Sequence, residues 1–270
     1  MMSIVRPTIL PPIIQPIRGP FGSSMPWESS GGGVAWTPVA LGSKLKLWLD
    51  QRDQVVTGAG VSDWGDQSTA GTMDLSQTID ASRPPSGQTI NGWAAPDGDG
   101  VADYMLGPNL VGGDGYTSAS ASRILCVIDN GGETPGADNA NSYLEPGVFA
   151  LGSTAGWLGL AWSVSGPRVF GFDGAFKVTA RMSATVGACL IDISHDGVTL
   201  SARRGADSAV TVACAALTTP GTRARFFCNY SIAAFFAGRI GSIIMCNAAL
   251  TAGEESAVRA YLGAKYGVAV

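Results

Sequence analysis

The spacing of apolar residues predicts β-strands along most of the chain. In KLKLWLD, which begins at residue 44, Leu45, Leu47 and Leu49 alternate with Lys46 and Trp48, so the three leucines are predicted to share one face of a strand. Similar short runs, each bounded by Gly, Pro, Asn or Asp, follow over residues 123–129, 157–164, 188–194, 210–217, 224–230 and 239–246. Many short strands of this kind predict an all-β, antiparallel β-sandwich over residues 40–270.

One helix is predicted near the C-terminus. Thr251 and Glu254 form a T-x-x-E capping box, which is the sequence mark of a helix start. The apolar residues that follow at helical spacing are Val258, Tyr261, Leu262 and Tyr266. Gly267 suits the left-handed backbone found at helix ends. The pattern therefore predicts a short C-terminal helix with one apolar face.

Residues 1–39 differ from the rest and are predicted to form an extended, proline-rich arm. Seven of the 15 prolines lie at or before Pro38, and proline fixes φ and lacks the N–H that helices and central strands need. The sequence SSGGG at residues 29–33 supplies a flexible joint. Because the arm is apolar, we expect it to bind a partner protein through its aliphatic residues, which are Ile4, Ile9, Leu10, Ile13, Ile14 and Ile17.

Composition and charge narrow the range of functions. The 270 residues carry a net charge of −4, whereas nucleic-acid binding needs a basic surface that neutralises phosphates. Prolines interrupt the apolar residues near the N-terminus, and no apolar stretch is long enough to cross a bilayer. We therefore expect no direct nucleic-acid partner, no membrane partner, and synthesis in the cytoplasm without an export signal.

The cysteines are predicted to be free thiols. They are odd in number and far apart, and each lies in an apolar run: Cys126, Cys189, Cys214, Cys228 and Cys246. Cysteine-rich metal sites usually contain close pairs such as C-x-x-C, and this sequence has none. We expect buried cysteines, folding in a reducing compartment, and no bound metal.

The sequence lacks the catalytic motifs that would suit this fold. Glycosidases built on such a sandwich carry E-x-D-x-x-E, which places two carboxylates on one face of a strand, and no glutamate of this chain begins that motif. Ser194, His195 and Asp196 are consecutive, so their side chains alternate between two faces and cannot form a triad. Asp196-Gly197 instead predicts a hairpin turn. We therefore predict a non-enzymatic protein without a cofactor.

Two further groups of residues leave ligand binding open. Asp97, Asp99 and Asp103 are spaced like the start of a calcium loop, but the glutamate that completes an EF-hand is missing, which favours a Gly/Asp hairpin. Among the seven tryptophans, Trp64 and Trp93 lie in turn-rich segments. These two are the candidates for an exposed ring that stacks on a sugar.

Two parts of the chain resemble a known family. The opening contains LKLWLDQRD, W-G-D-Q-S at residues 64–68, and RPPSGQTINGWAAPDGDGVADYM; the ending is GRIGSIIMCNAALTAGEESAVRAYLGAKYGV. These motifs resemble the first strands and the closing strand and helix of LamG-like, concanavalin-type domains in bacteriophage structural proteins. The resemblance covers residues 44–106 and 238–268. It implies a concanavalin-like jelly roll over residues 40–270.

The same resemblance implies a function. It suggests a bacteriophage virion structural protein on the exterior of the particle, as a capsid decoration or tail accessory protein held by the arm. The implied partners are capsid or tail subunits and further copies of this chain in a homo-oligomer. The alternative is a lectin-like, carbohydrate-binding module that recognises host or environmental glycans.

Overall fold

A computed structural model describes residues 36–108, 122–131, 136–139, 145–153, 156–215 and 224–270. Within it, Trp36–Val270 forms one compact unit. The six aliphatic residues of the predicted arm lie outside the described residues, so their partner-binding role stays a prediction: Ile4, Ile9, Leu10, Ile13, Ile14 and Ile17. No helix in the described ranges has the length and apolarity needed to cross a membrane.

The described residues are mainly β-strands. In chain order the strands are β1 (Leu45–Thr57), β2 (Gly60–Asp66), β3 (Leu75–Ser76), β4 (Thr89–Ile90), β5 (Trp93–Ala94), β6 (Asp97–Asp99), β7 (Met105–Leu106), β8 (Ser122–Asp129), β9 (Gly147–Ser153), β10 (Gly156–Ser163), β11 (Gly166–Phe172), β12 (Phe176–Val178), β13 (Ala188–His195), β14 (Thr199–Arg204), β15 (Val210–Ala213), β16 (Ala224–Phe226) and β17 (Ala237–Cys246). The helices are two 3-10 turns, Pro38–Lys44 and Asp80–Ser82, and one α-helix, α1 (Ala252–Tyr266).

The strands form one long ladder that folds into a sandwich. Its order is β12-β11-β10-β9-β16-β7-β3-β2-β1-β17-β8-β13-β14-β15, with β6 added to β17 and β4–β5 as a separate hairpin. Each paired strand runs antiparallel to its neighbour. The ladder curls until β11 contacts β14 and β12 contacts β15, so its two halves face each other. The predicted antiparallel β-sandwich is confirmed.

Two apolar layers stabilise the sandwich. Side chains that point inward from both halves form the central core, which includes Ile124 and Cys126 of β8. The intervening residues Leu125 and Val127 point outward and pack under α1 with Leu262. Because neighbouring side chains on a strand point to opposite faces, β8 needs apolar residues at nearly every position. Burial of both faces therefore explains the unbroken apolar run ILCVI at residues 124–128.

The predicted C-terminal helix is confirmed at both ends. Thr251 Oγ1 accepts a hydrogen bond from the Glu254 amide, and the Glu254 carboxylate accepts one from the Thr251 amide, which completes the capping box. Gly267 ends the helix with a φ of 66°, a left-handed conformation that glycine adopts without strain. The apolar face of α1 covers the outer side of β1, β8, β13 and β17.

One prediction about β1 is wrong. Leu45, Leu47 and Leu49 do not share a face, because the pairing with β17 shifts register between Leu45 and Leu47. This bulge turns Leu45 outward, where it packs beside Trp48 under α1, while Leu47 and Leu49 remain in the central core. A strict period of two therefore fails at the start of this strand.

All five cysteines are buried and unpaired, as the sequence predicts. Burial raises the pKa of the Cys228 and Cys246 thiols to about 12, so both stay protonated at neutral pH. A buried, protonated thiol is unreactive. The cysteines therefore act as small apolar residues of the fold.

Candidate functional site

A cleft of about 520 Å³ opens where β6 ends and β17 begins. One wall is the turn at residues 99–101, and the other is the segment 233–235 with Ala237. Gly136 and Pro146 complete the lining. We call this concavity the Asp99 cleft.

The turn that forms the first wall is organised by the carboxylate of Asp99. Its Oδ1 accepts hydrogen bonds from three successive amides, those of Val101 at 2.7 Å, Ala102 at 2.9 Å and Asp103 at 3.2 Å. Burial alone would raise the pKa of Asp99, but the amides of Ala102, Val101 and Asp103 outweigh it and lower the pKa. Asp99 is therefore an ionised group at the edge of the cleft.

This geometry corrects the hairpin predicted around Asp97, Asp99 and Asp103. β6 pairs with β17, whereas β7 pairs with β16 and β3, so the turn connects strands that are not neighbours. Among the described residues, no group of three or more His, Cys, Asp or Glu side chains is arranged to hold a metal ion. The carboxylates of Asp99 and Asp103 accept hydrogen bonds from backbone amides, and that of Asp97 pairs with Arg239 at 3.6 Å, so contacts within the protein explain their spacing.

Asp103 lies behind the turn and is only 4% exposed. Its Oδ2 accepts a hydrogen bond from the Asp99 amide at 3.0 Å. Burial raises the pKa of Asp103 to about 6, and the charges of Asp99 and Asp97 add to the increase. Above that pH, two neighbouring carboxylates are ionised beside the cleft.

We expect Asp103→Asn to stabilise the protein at pH 8 and to have a much smaller effect at pH 4. A raised carboxyl pKa means that its contribution is fully present below the unfolded-state pKa and is lost as pH rises through about 6. Asparagine cannot ionise but can still accept the Asp99 amide hydrogen. We expect a gain of about 1–3 kcal/mol at pH 8, measured by urea unfolding at both pH values. The control Asp207→Asn, at an exposed site, should leave the free energy of unfolding unchanged at both pH values. Equal effects of Asp103→Asn at pH 4 and pH 8 would contradict the raised pKa of Asp103.

The second wall is held in an unusual backbone conformation. Phe227 and Ile232 have φ values of 63° and 55°, although neither is glycine. Asn229 Oδ1 accepts hydrogen bonds from the amides of Ala233 at 3.0 Å and Ala234 at 3.3 Å. Such conformations cost about 1–3 kcal/mol each and concentrate at functional sites. Here they place a short loop, and Phe235 after it, along the cleft.

Phe235 supplies an aromatic ring at this wall. Its side chain is half-buried and lies 6.5 Å, centroid to centroid, from the ring of Tyr104. Phe235 therefore lines the same concavity as the ionised carboxylate of Asp99. No sequence motif points to Phe235, because the pairing of β6 with β17 is what brings the two walls together.

A second cleft, of about 410 Å³, runs along the first turns of α1. We call it the Arg203 cleft. Its polar lining consists of Arg203, Glu255, Ser256 and Arg259, and its small or apolar lining of Ala252, Ala260 and Val270.

An ion cluster around Asp192 lies next to the Arg203 cleft. The Asp192 side chain is 1% exposed. Arg123 donates to Asp192 through Nε at 2.6 Å and Nη2 at 2.7 Å, and Arg259 donates through Nη1 at 2.6 Å. Arg203 reaches the same carboxylate at 3.2 Å and Glu255 at 2.6 Å. Burial alone would lower the pKa of Arg123, but its bonds to Asp192 and Glu255 raise it. These guanidinium groups are permanently charged.

The candidate residues from the sequence are placed as follows. Trp64 is fully buried and donates its Nε1 hydrogen to the Asp50 carbonyl at 2.6 Å, so it is wrong as an exposed sugar platform. Trp93 is half-buried, with its ring 4.7 Å from Lys265 Nζ.

His195 is buried at the end of β13. Residues 196–198 form the predicted turn into β14, in which Asp196 Oδ1 accepts hydrogen bonds from two backbone amides.

Comparison with known proteins gives similarity in structure alone. No known family model and no curated protein sequence matches the chain. The binding domain of botulinum neurotoxin DC in complex with SialylT is similar, with a TM-score of 0.58, 10% identity, and coverage of 81% of this chain and 52% of that one. A structure of botulinum neurotoxin type C, whose cell entry depends on interaction with two ganglioside molecules, has a TM-score of 0.55 and 9% identity, with coverage of 84% and 53%.

An enzyme also shares the fold. Trypanosoma rangeli sialidase in complex with the inhibitor DANA has a TM-score of 0.51 and 10% identity, with coverage of 79% of this chain and 32% of the sialidase. The chain thus spans about half the length of the two toxin structures and about a third of the sialidase. These similarities support the β-rich sandwich fold. They give no support to the bacteriophage part of the resemblance.

Proposed function

We propose that this protein is a lectin-like module that binds glycans in the Asp99 cleft. The observation that carries the proposal is the pairing, across one concave surface, of an ionised carboxylate with an aromatic ring. Asp99 provides the carboxylate and Phe235 the ring. The proposal favours the second of the two functions considered from the sequence.

The chemistry of a sugar matches these two groups. A pyranose has an apolar face of C–H groups that packs on an aromatic ring, and hydroxyls that donate hydrogen bonds to a carboxylate. Three amides hold Asp99 Oδ1 in place, so the carboxylate is oriented before a ligand arrives. Such preorganisation reduces the entropy lost on binding. The cleft therefore offers a rigid recognition site rather than catalytic machinery.

The structural relatives support this reading at the level of fold. One is a toxin binding domain in complex with SialylT, and another is a toxin whose cell entry depends on interaction with two ganglioside molecules. At about 10% identity, and with about half of each toxin chain covered, they support the fold alone, and the site on this chain rests on its own cleft. The sialidase is matched over 32% of its chain, so its activity is not assigned to the shared fold. We propose binding without turnover, since the sequence lacks the paired-carboxylate motif of sandwich glycosidases.

We expect the protein to bind at least one neutral oligosaccharide in a screen against a broad panel of glycans. Asp99→Asn and Phe235→Ala should each weaken that binding about tenfold or more, because each removes a charge-assisted hydrogen bond or a stacking surface. Titration calorimetry with the bound sugar measures the loss. Val198→Ala, at a 66% exposed site, is the control and should bind normally. A panel without any ligand, or full affinity in both variants, would contradict the proposal.

The bacteriophage virion role stays a prediction of the sequence resemblance. It depends on the arm, and residues 1–35 lie outside the described residues. The two roles are compatible, because a glycan-binding domain on the outside of a particle would face the host surface.

A further inference from the structure

The Arg203 cleft has features that the glycan proposal does not use. Three guanidinium groups, those of Arg123, Arg203 and Arg259, surround two carboxylates, those of Asp192 and Glu255. These five side chains together carry one excess positive charge.

The excess charge is accessible from the cleft. Arg203 Nη1 and Arg259 Nε make no hydrogen bond within the part of the chain that the structure describes. Both side chains line the cleft, with 32% of Arg203 and 8% of Arg259 exposed. Arg259 is otherwise fixed, since its Nη1 binds Asp192 and its Nη2 binds the Gly205 carbonyl at 2.6 Å. The unused donors thus belong to side chains that are already rigid.

The rest of the lining admits a ligand. Ala252 and Ala260 are small, exposed residues of α1, and Ser256, exposed on the helix between them, can donate or accept a hydrogen bond. Glu255 does not repel an anion strongly, because its Oε1 accepts hydrogen bonds from Arg123 and Arg203, each at 2.6 Å. A carboxylate is a good fit to planar guanidinium donors, and the serine hydroxyl can bind a neighbouring hydroxyl.

We infer that the Arg203 cleft binds the carboxylate of an acidic saccharide of the hexuronate class. Its two anchors are Arg203 and Arg259, and Ser256 is a further polar contact. This is a second ligand site, separate from the Asp99 cleft. That the ligand is a saccharide follows from the proposed function. That it carries an oxyanion follows from the arginine geometry alone.

The test uses D-glucuronate and its uncharged analogue D-glucuronamide, titrated into the full-length protein and followed by NMR of the arginine Nε–H groups. Glucuronate should shift the Nε–H signals of Arg203 and Arg259, and glucuronamide should not. Arg203→Gln should weaken glucuronate binding about tenfold or more, the usual effect of losing a charge-assisted hydrogen bond. Added salt should also weaken binding, since the site is partly exposed.

Two further variants separate the possible outcomes. Ala260→Glu places a negative charge at an exposed helix position that tolerates glutamate, so it should abolish binding without altering the fold. Arg52→Gln removes one positive charge from a side chain that is 54% exposed on β1 and should leave binding unchanged. Equal shifts with glucuronamide, unchanged affinity in Arg203→Gln, or binding of inorganic sulfate but not of glucuronate would each overturn the inference.

The same variants distinguish this site from the Asp99 cleft. Asp99→Asn should keep glucuronate binding, and Arg203→Gln should keep binding of the neutral oligosaccharide. If no neutral glycan binds but glucuronate shifts the two arginines, the proposed function fails while the acidic site stands.

Discussion

Replacing Asp192 with alanine is expected to lower the free energy of unfolding by about 3–5 kcal/mol. The substitution removes the acceptor shared by Arg123, Arg203 and Arg259 and leaves guanidinium groups in a poorly solvated site. Arg259 is affected most, because its side chain is only 8% exposed and Asp192 is its sole carboxylate partner among the described residues. The loss should appear in chemical denaturation and as a fall in melting temperature of about 2–4 °C per kcal/mol.

The control for this prediction removes a carboxylate that is not buried. Asp207→Ala lies at an exposed position and should change stability by less than about 0.5 kcal/mol. Arg203→Gln should cost less than Asp192→Ala, since its side chain is 32% exposed and water can replace part of what is lost. Wild-type stability of Asp192→Ala would show that the cluster is solvated and that the Arg203 cleft is not preorganised.

Most of the fold can be predicted from local patterns, and the exceptions have physical causes. The runs that become β8, β13 and β17 stand out because both of their faces are buried, which requires continuous apolar sequence. β11 does not stand out, because GPRVFGF contains the strand breakers Gly and Pro. Its partner β10 matches the run predicted at residues 157–164, but Gly159 within it is explained only by packing, since a Cβ there would lie 2.2 Å from the Phe170 ring.

The candidate sites could not be predicted, because strand register creates them. Asp192 lies opposite Arg203, and Arg123 lies opposite Ser194, two positions further along β13. A shift of one residue would turn these side chains to the other face. The Asp196-Gly197 turn sets the register of β14 on β13, but no sequence pattern determines the register of β8 on β13, which lies far along the chain. Phe235 and Asp99 likewise meet only through the pairing of β6 with β17. The sequence does show the absence of glycosidase motifs, which is a local property.

Replacing Asp50 with alanine is the second substitution with a large expected effect. Asp50 is fully buried, and its carboxylate accepts hydrogen bonds from Lys265 Nζ and from the Tyr261 hydroxyl at 3.3 Å. The Tyr266 hydroxyl lies 3.4 Å from the same carboxylate and donates its hydrogen to the Gly241 carbonyl at 2.7 Å. Lys265 Nζ also lies 4.7–5.8 Å from three aromatic ring centroids, those of Trp93, Tyr261 and Tyr266. The variant leaves this ammonium group without its counter-ion, which should cost about 3–5 kcal/mol.

The pH dependence and a double variant test the cause of that loss. Burial lowers the pKa of Lys265, and Asp50 opposes the shift, so Asp50→Ala should lower that pKa further. A lysine whose folded-state pKa is depressed destabilises the protein while it is protonated, so the deficit should shrink as pH rises toward the unfolded-state value of about 10.4. Asp50→Leu combined with Lys265→Met removes both charges and should recover most of the lost stability. A pH-independent deficit that the double variant fails to recover would mean that packing, rather than an unpaired charge, holds α1 against the sandwich.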